Sequence, residues 1–293
     1  MESLELIKRR ISSAQSLKSI VRTMKILAAV SMRQYEKMLD ALKEYVNGIE
    51  MGLQVVLKDF ESLHEFKETF DGKKTGAVIF GSDMGMCGQF NELISAYAVN
   101  SFSGIKSGSI EVISIGDRVA AKLEGRGFNA SGMLPYPAGL SGNVKPVMQE
   151  LLLRIESWRE QKGVEQVLLF YNAPSDTGGR YAPQMKMLLP VGKEYLEKLK
   201  AKKWESNTLP MYKMERNALF SALIKDLLYA EIFRAFVDSL TSENAARLVS
   251  MQAAEKHVDD HIEELNGVYN QERQDQITSE LLDIIAGFEA VTN

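Results

Sequence analysis

The sequence predicts an α/β protein: a long antiparallel coiled coil of the N- and C-terminal helices, with an inserted small doubly wound α/β domain. One observation is a heptad repeat of apolar residues from Leu4 to Val56. A second is the proline-free stretch 211–291, which is long enough to supply the partner helix. Between them, short β-branched runs alternate with amphipathic stretches, as in a parallel sheet. We therefore expect an N-terminal coiled-coil helix over 1–66, an α/β domain over 67–209 and a C-terminal coiled-coil helix with a single-helix tip over 210–293.

The N-terminal repeat covers sixteen a and d positions, of which fourteen are apolar or aromatic, so chance is a poor explanation. The two exceptions are Lys18 and Lys25. A repeat of this length needs a partner helix along its whole course. In the C-terminal stretch the matching apolar row includes Leu219, Leu223, Leu227, Ala230, Leu248, Met251, Val258, Ile262, Leu265 and Tyr269.

The charges of the two terminal segments differ in sign. Residues 7–35 carry seven basic residues and no acidic one, whereas 241–293 carry eleven acids and three bases. Two compatible interpretations follow: the helices face each other, and part of the basic stripe faces an acidic partner. If both helices start level, facing residue numbers sum to about 271, give or take a turn. The predicted neighbours are Lys8 to Ser12 with Asp259 to Glu263, Met24 with Arg247, and Arg33 with Asp238.

The central residues predict three buried strands, an edge strand and three helices. The buried strands are 75–80, 109–115 and 164–171, and the predicted helices are 89–102, 117–125 and 144–161. Residues 180–190 predict an edge strand. Pro183 and Pro190 have no backbone N–H to donate to a neighbouring strand, so they suit the edge of a sheet better than its centre. The first helix is expected to end between Asp59 and Phe66. Residues 192–210 are expected to form a polar connector, with a helix beginning at Pro210.

Two motifs suggest chemistry. The segment Gly81 to Gly88 follows a strand and precedes a helix, as a phosphate-binding turn does, but its spacing is GxxxGxxG, so a structural turn is favoured. Cys87 within it has no evident histidine partner. His257 and His261 have metal-ligand spacing, but the acids around them favour a solvated or ion-paired face, so no metal and no cofactor is expected.

Composition limits the remaining classes. One cysteine rules out an internal disulfide, and no apolar run approaches the roughly 18 residues of a membrane span. The N-terminus enters the heptad repeat at Leu4 and resembles neither a signal nor a transit peptide. We expect a cytosolic protein.

The C-terminal segments 242–251 (SENAARLVSM) and 269–281 (YNQERQDQITSEL) closely resemble the signature of gamma subunits of F-type ATP synthases. Three N-terminal and central segments resemble family motifs in the same order: 11–13 (ISS), 24–29 (MKILAA) and 82–88 (SDMGMCG), with 188–190 (LLP) beyond them. Departures at Met84, Gln89 and 21–23 suggest a divergent member.

The resemblance implies a non-catalytic central-stalk rotor that couples ion-driven rotation of a membrane ring to ATP synthesis or hydrolysis. The implied partners are the α and β subunits of a catalytic hexamer, the epsilon subunit and the c-subunit ring, with nucleic acid and membrane insertion excluded. The location implied is peripheral, on the cytoplasmic face of the cell membrane. Two other classes stay open: a nucleotide-dependent α/β enzyme using the Gly81 loop, and a nucleic-acid binder using the basic stripe.

The resemblance also assigns contacts. Those to a β subunit are expected from Arg22, Met24, Lys25, Arg247, Arg273 and Gln274. On the predicted register, residues 271–293 form a single helix about 35 Å long beyond the pair. Its apolar stripe has no partner within the chain, so an apolar sleeve of the hexamer is expected to cover it. The stripe consists of Ile277, Leu281, Ile284, Ile285, Phe288 and Val291.

Overall fold

A computed structural model describes residues 3–60, 74–103, 109–136, 144–175, 181–204, 207–208 and 210–292, with side chains up to Gly287. The helices are α1 (Leu4–Lys58), α2 (Phe90–Ser101), α3 (Asp117–Glu124), α4 (Val144–Lys162), α5 (Lys193–Ala201) and α6 (Arg216–Thr292). The strands are β1 (Lys74–Phe80), β2 (Ile110–Ile115), β3 (Gly132–Leu134), β4 (Val164–Pro174) and β5 (Tyr181–Leu189). Among the described residues, no helix combines the length and apolar content that a membrane span needs.

The chain divides into two compact units. The terminal unit contains Met1–Ala29 and Arg247–Asn293, and the central unit contains Val30–Ala246. Helices α1 and α6 each contribute one part to each unit. The predicted boundaries at 66/67 and 209/210 touch residues outside the described ranges, so that division of the chain stays a prediction.

The sheet of the central unit has the strand order β3-β2-β1-β4-β5, with β5 antiparallel to β4 and all other pairs parallel. Helices α2 and α3 cover one face, where Ile79 and Phe170 lie in the core. Helices α4 and α6 cover the other face, on which Phe80 packs. Buried on both faces, β1 reads as a continuous apolar run. The predicted α/β fold with a doubly wound sheet is confirmed.

Two elements were not predicted from the sequence. Helix α5 lies within the predicted polar connector, and its Leu196 and Leu199 are buried against Leu53 and Leu57 of α1. Strand β3 has three residues, too few for a periodic pattern to be visible. The prediction of a polar connector over 192–210 was therefore wrong at α5, and the sequence analysis assigned no element to the residues of β3.

Helix α6 begins at Arg216 rather than at Pro210. The Glu215 carboxylate accepts hydrogen bonds from the backbone N–H groups of Asn217 (2.9 Å) and Ala218 (2.8 Å), so it satisfies donors that the first turn leaves unpaired. An acid at this end also suits the helix dipole. Helix α1 ends at Lys58, and the Arg216 guanidinium donates to the Asp59 carbonyl at 3.0 Å.

Candidate partner-binding surfaces

The terminal unit contains the first part of the predicted heptad seam. On α1 the buried residues recur every seven positions, at Ile7, Ala14, Val21 and Ala28. On α6 the buried residues include Met251 and Leu265. The heptad period of the N-terminal helix therefore describes its buried face in this unit.

The two lysines that interrupt the seam pair with acids on α6. Lys18 forms an ion pair with Asp259, and the half-buried Lys25 pairs with Glu255. These pairs show that the two helices run antiparallel, as predicted. Each ammonium carries its charge at the edge of an apolar seam, where an opposite charge offsets the cost of partial burial.

The same pairs correct the predicted register. A constant sum of 271 would place Ala253 beside Lys18 and Ala246 beside Lys25, but the observed partners lie six and nine residues further along, or about two turns. The start of α6 at Arg216 rather than at residues 212–215 accounts for one to four residues of this shift. Asp259 therefore pairs with Lys18 rather than with the segment Lys8 to Ser12.

The residues expected to face a β subunit differ in exposure. Arg22 is exposed, Met24 and Lys25 are half-buried, and Arg247 is buried. The Lys25 charge is already matched within the chain by Glu255. Arg22 is therefore the best placed of the four to meet an acidic partner, and the contact itself stays a prediction.

Arg273 and Gln274 are both exposed. Within the described part of the chain, Arg273 forms no ion pair, and this includes its neighbour Asp275. The Gln274 carbonyl accepts the Thr278 hydroxyl at 2.8 Å, which leaves its side-chain amide outside that bond. Both side chains are available to a partner.

We call residues 273–292 of α6 the tip, because Glu272 is the last half-buried residue before it. The predicted stripe is exposed there at Ile277, Leu281, Ile284 and Ile285, with Ile284 at 69%. The side chains of Phe288 and Val291 lie outside the described residues. Continuing the seam of α6 from Leu265 by heptads leads to polar positions such as Ser279, so this stripe belongs to a different face of the helix.

A second exposed apolar stripe was missed. Leu6, Leu17, Ile20 and Leu27 of α1 are each about half exposed, although they lie next to the buried seam. Their spacing of three, seven and eleven residues keeps them on one side of a helix. The sequence already indicates a second apolar stripe, because these four residues are apolar and none of them is one of the sixteen seam positions.

The loop Gly81 to Gly88 is a structural turn. The Asp83 carboxylate accepts the Asp117 N–H at the start of α3 (2.9 Å) and the Tyr136 N–H (3.0 Å). Ser82 and Asn91 bond each other twice, N–H to Oδ1 at 3.0 Å and Nδ2 to Oγ at 2.8 Å. A Cβ on Gly81 would lie 2.3 Å from that of Val119, so close packing explains this glycine.

The polar groups of α6 in the central unit are also internal. Every residue from Ala235 to Ala246 is buried, although half of them are polar. An amphipathic helix is recognised in a sequence by an apolar face opposite a polar face. A segment that is buried on every side and contains polar residues shows no such pattern. This segment lies at the carboxyl end of the sheet, where the Ser242 hydroxyl donates to the Asn172 carbonyl at 3.1 Å. In the described residues no cluster of acids, histidines and cysteine suits a metal ion.

Comparison with known proteins identifies the family of this chain. A family model described as ATP synthase matches residues 3–291. The chain belongs to the ATP synthase gamma-chain family. Curated ATP synthase gamma chains from Haemophilus influenzae (strain 86-028NP) and Histophilus somni are 30% and 31% identical, over 97% of this chain and 98% of theirs.

Solved structures share the fold. A chain of the Euglena gracilis mitochondrial ATP synthase superposes with a TM-score of 0.66 at 16% identity, covering 98% of this chain and 94% of that one. A chain of the Tetrahymena thermophila mitochondrial ATP synthase central stalk and c-ring gives 0.59 at 20% identity, covering 80% and 99%. The predicted family is confirmed.

Proposed function

We propose that this chain is the central-stalk rotor of an F-type ATP synthase. The observation that carries the proposal is the helix pair of the terminal unit, which continues into a tip whose apolar stripe faces solvent. Such a stripe on a lone helix marks a surface that another protein covers. The relatives, matched over nearly their whole length, are gamma chains of ATP synthases.

The tip suits a bearing. Aliphatic contacts are non-directional, so a helix that turns within an apolar sleeve breaks no fixed hydrogen bonds. The sleeve would contact Ile277, Leu281, Ile284 and Ile285, and we extend the assignment to Phe288 and Val291 from their spacing.

The two helices of the terminal unit present chemically different faces, as a rotor that acts on several subunits in turn requires. The stripe of Leu6, Leu17, Ile20 and Leu27 presents apolar surface, while Arg22 and the neighbouring basic residues present positive charge. Rotation would bring these different faces in turn to otherwise equivalent β subunits. An acidic segment of a β subunit would be attracted to the basic face.

In this account the chain does no chemistry itself. Nucleotide binding and hydrolysis belong to the hexamer, the partners below it are the epsilon subunit and the c-subunit ring, and the complex lies on the cytoplasmic face of the cell membrane. Ser82, Asp83 and Asn91 make internal bonds in the loop that a nucleotide would otherwise use, which disfavours the enzyme alternative. The acids paired with Lys18 and Lys25 disfavour a nucleic-acid binder.

Reconstitution tests the proposal. Membranes stripped of the catalytic hexamer and its gamma chain should regain ion-driven ATP synthesis when α, β and the other soluble subunits are added together with this chain. A matched preparation should receive a chain ending at Glu272, which lacks the tip. Full ATP synthesis without this chain, or none with it despite assembly, would contradict the rotor assignment.

A further inference from the structure

We propose that a polar joint in the central unit fixes α6 to the α/β domain and carries the torque between them. The joint consists of Ser242, Asn172 and Phe90, which are linked by buried hydrogen bonds, with the buried Tyr136, Ser239 and Glu243 beside them. The proposal rests on the rotor function, and it adds positioning residues that act far from the hexamer-binding surfaces.

The joint lies at the carboxyl end of the sheet, beside the neighbouring strands β1 and β4; the chain continues from β1 to α2 and from β4 to β5. Doubly wound domains commonly bind ligands in a crevice at this end of the sheet. Here the crevice is filled by α6, whose residues Ala235 to Ala246 are buried on every side. A helix therefore takes the place that a ligand occupies in other proteins of this architecture.

Four residues of α6 face the crevice at helical spacing: Ser239, Ser242, Glu243 and Ala246. Three of them are small, which allows the helix to approach the loops closely. Ala246 packs against Cys87 and Phe90 in an apolar cluster at the start of α2.

The contacts of this stripe are directional. The Ser242 hydroxyl donates to the Asn172 carbonyl at 3.1 Å, and the Asn172 amide donates to the Phe90 carbonyl at 3.1 Å. All of these groups are buried, so the bonds are not exchanged readily with water. The chain of bonds ties α6 to the end of β4 and to the start of α2.

A further buried polar group lies beside these bonds. Among the described residues the Tyr136 and Ser239 hydroxyls are buried without a hydrogen-bond partner, and burial, together with the nearby Glu243 carboxylate, raises the pKa of Tyr136 well above its ordinary value. The Tyr136 backbone N–H donates to the Asp83 carboxylate at 3.0 Å. The bonds of Ser242 and Asn172 are therefore the ones that tie α6 to the sheet.

Buried polar groups are best known for fixing register, because a rotated or shifted helix would leave them without partners. Apolar packing alone allows neighbouring arrangements of similar energy. A helix that transmits torque from the α/β domain would turn against the sheet unless its azimuth is fixed. The joint supplies that constraint through the bonds from Ser242 to Asn172 and from Asn172 to Phe90, while the apolar residues around it supply stability.

The test measures torsional stiffness in the assembled complex. The hexamer is arrested with a non-hydrolysable nucleotide, a probe is attached to the α/β domain, and its angular variance is recorded. The joint variant is Ser242→Ala, which removes the hydroxyl that bonds the Asn172 carbonyl and little volume. The control is Thr241→Val, since the buried Thr241 hydroxyl bonds only the Val237 carbonyl of its own helix at 2.8 Å.

We expect about a doubling of angular variance in the joint variant, no change in the control, and recovery when Ser242→Thr keeps the hydroxyl. If Ser242→Ala does not fold, Ser242→Cys, which fills the same space with a weaker donor, gives the same comparison. Equal variance in variant and control, in complexes that assemble and hydrolyse ATP normally, would overturn the joint. A chain that does not assemble with the hexamer at all would instead count against the rotor function.

Discussion

Asp238 of α6 predicts an unusual pH dependence of stability. Its carboxyl is nearly buried, and burial raises its pKa to about 6, although Arg234 (3.7 Å away) and Lys186 act in the opposite direction. The nearby Glu231 raises it further. Burial of Tyr171 raises its pKa to about 12, and the Asp238 carboxylate contributes to this rise. We expect Asp238→Asn, which keeps the shape and removes the charge, to stabilise the chain at neutral pH.

The sign and size follow from linkage. Between the ordinary pKa of 3.8 and about 6, the native Asp238 holds a proton that the unfolded chain has released. The native state therefore loses stability as pH rises through this window, by up to about 3 kcal/mol at about 1.4 kcal/mol per pKa unit. The lost Arg234 pair reduces the gain of the variant. Above pH 7, Asp238→Asn should be more stable than the wild type by about 1–3 kcal/mol, and below pH 4 the two should be equal.

Urea unfolding of the whole chain at several pH values between 4 and 8 measures this difference. Asp226→Asn is the matched control, because Asp226 lies on the same helix and is exposed. A variant-minus-wild-type difference that stays flat with pH, or an Asp238→Asn chain that is less stable at pH 7.5, would refute the reasoning.

Three further predictions concern the terminal unit. Lys25→Glu should weaken the helix pair by about 1 kcal/mol, and adding Glu255→Lys should recover it, as amide hydrogen exchange near these residues would report; no recovery would mean that the ion pair is incidental. Substituting Arg273 and Gln274 together by alanine should impair ATP synthesis while circular dichroism stays unchanged, and normal synthesis would remove them from the β-subunit contact. Residues 277–287 should exchange amide hydrogens rapidly in the isolated chain and slowly in the complex; equal protection in both would contradict the bearing.

The terminal helices were predictable because one period dominates them. The seam positions Ile7, Ala14, Val21 and Ala28 are buried as their heptad spacing requires. Register was less predictable, since it depends on where α6 begins and on which side chains pair across the seam, such as Lys18 with Asp259. That start is set by the Glu215 carboxylate at the first turn, and no apolar pattern shows it.

The joint could not be predicted because its signal is tertiary. Ser239, Ser242 and Glu243 are ordinary polar residues on a long helix, and polar residues usually face solvent. Their burial follows from the sheet edge that surrounds them, formed by residues distant in sequence such as Asn172. The family resemblance found this segment as a motif, but only the contacts give its physical role.

Rotation is the central claim, and direct observation of it is the decisive measurement. The hexamer assembled with this chain is fixed to a surface, and a probe is attached at an engineered cysteine replacing the exposed Ser103 of the α/β domain. We predict that ATP drives the probe through continuous rotation in one direction. A probe that stays still while this complex hydrolyses ATP at its full rate would contradict the account.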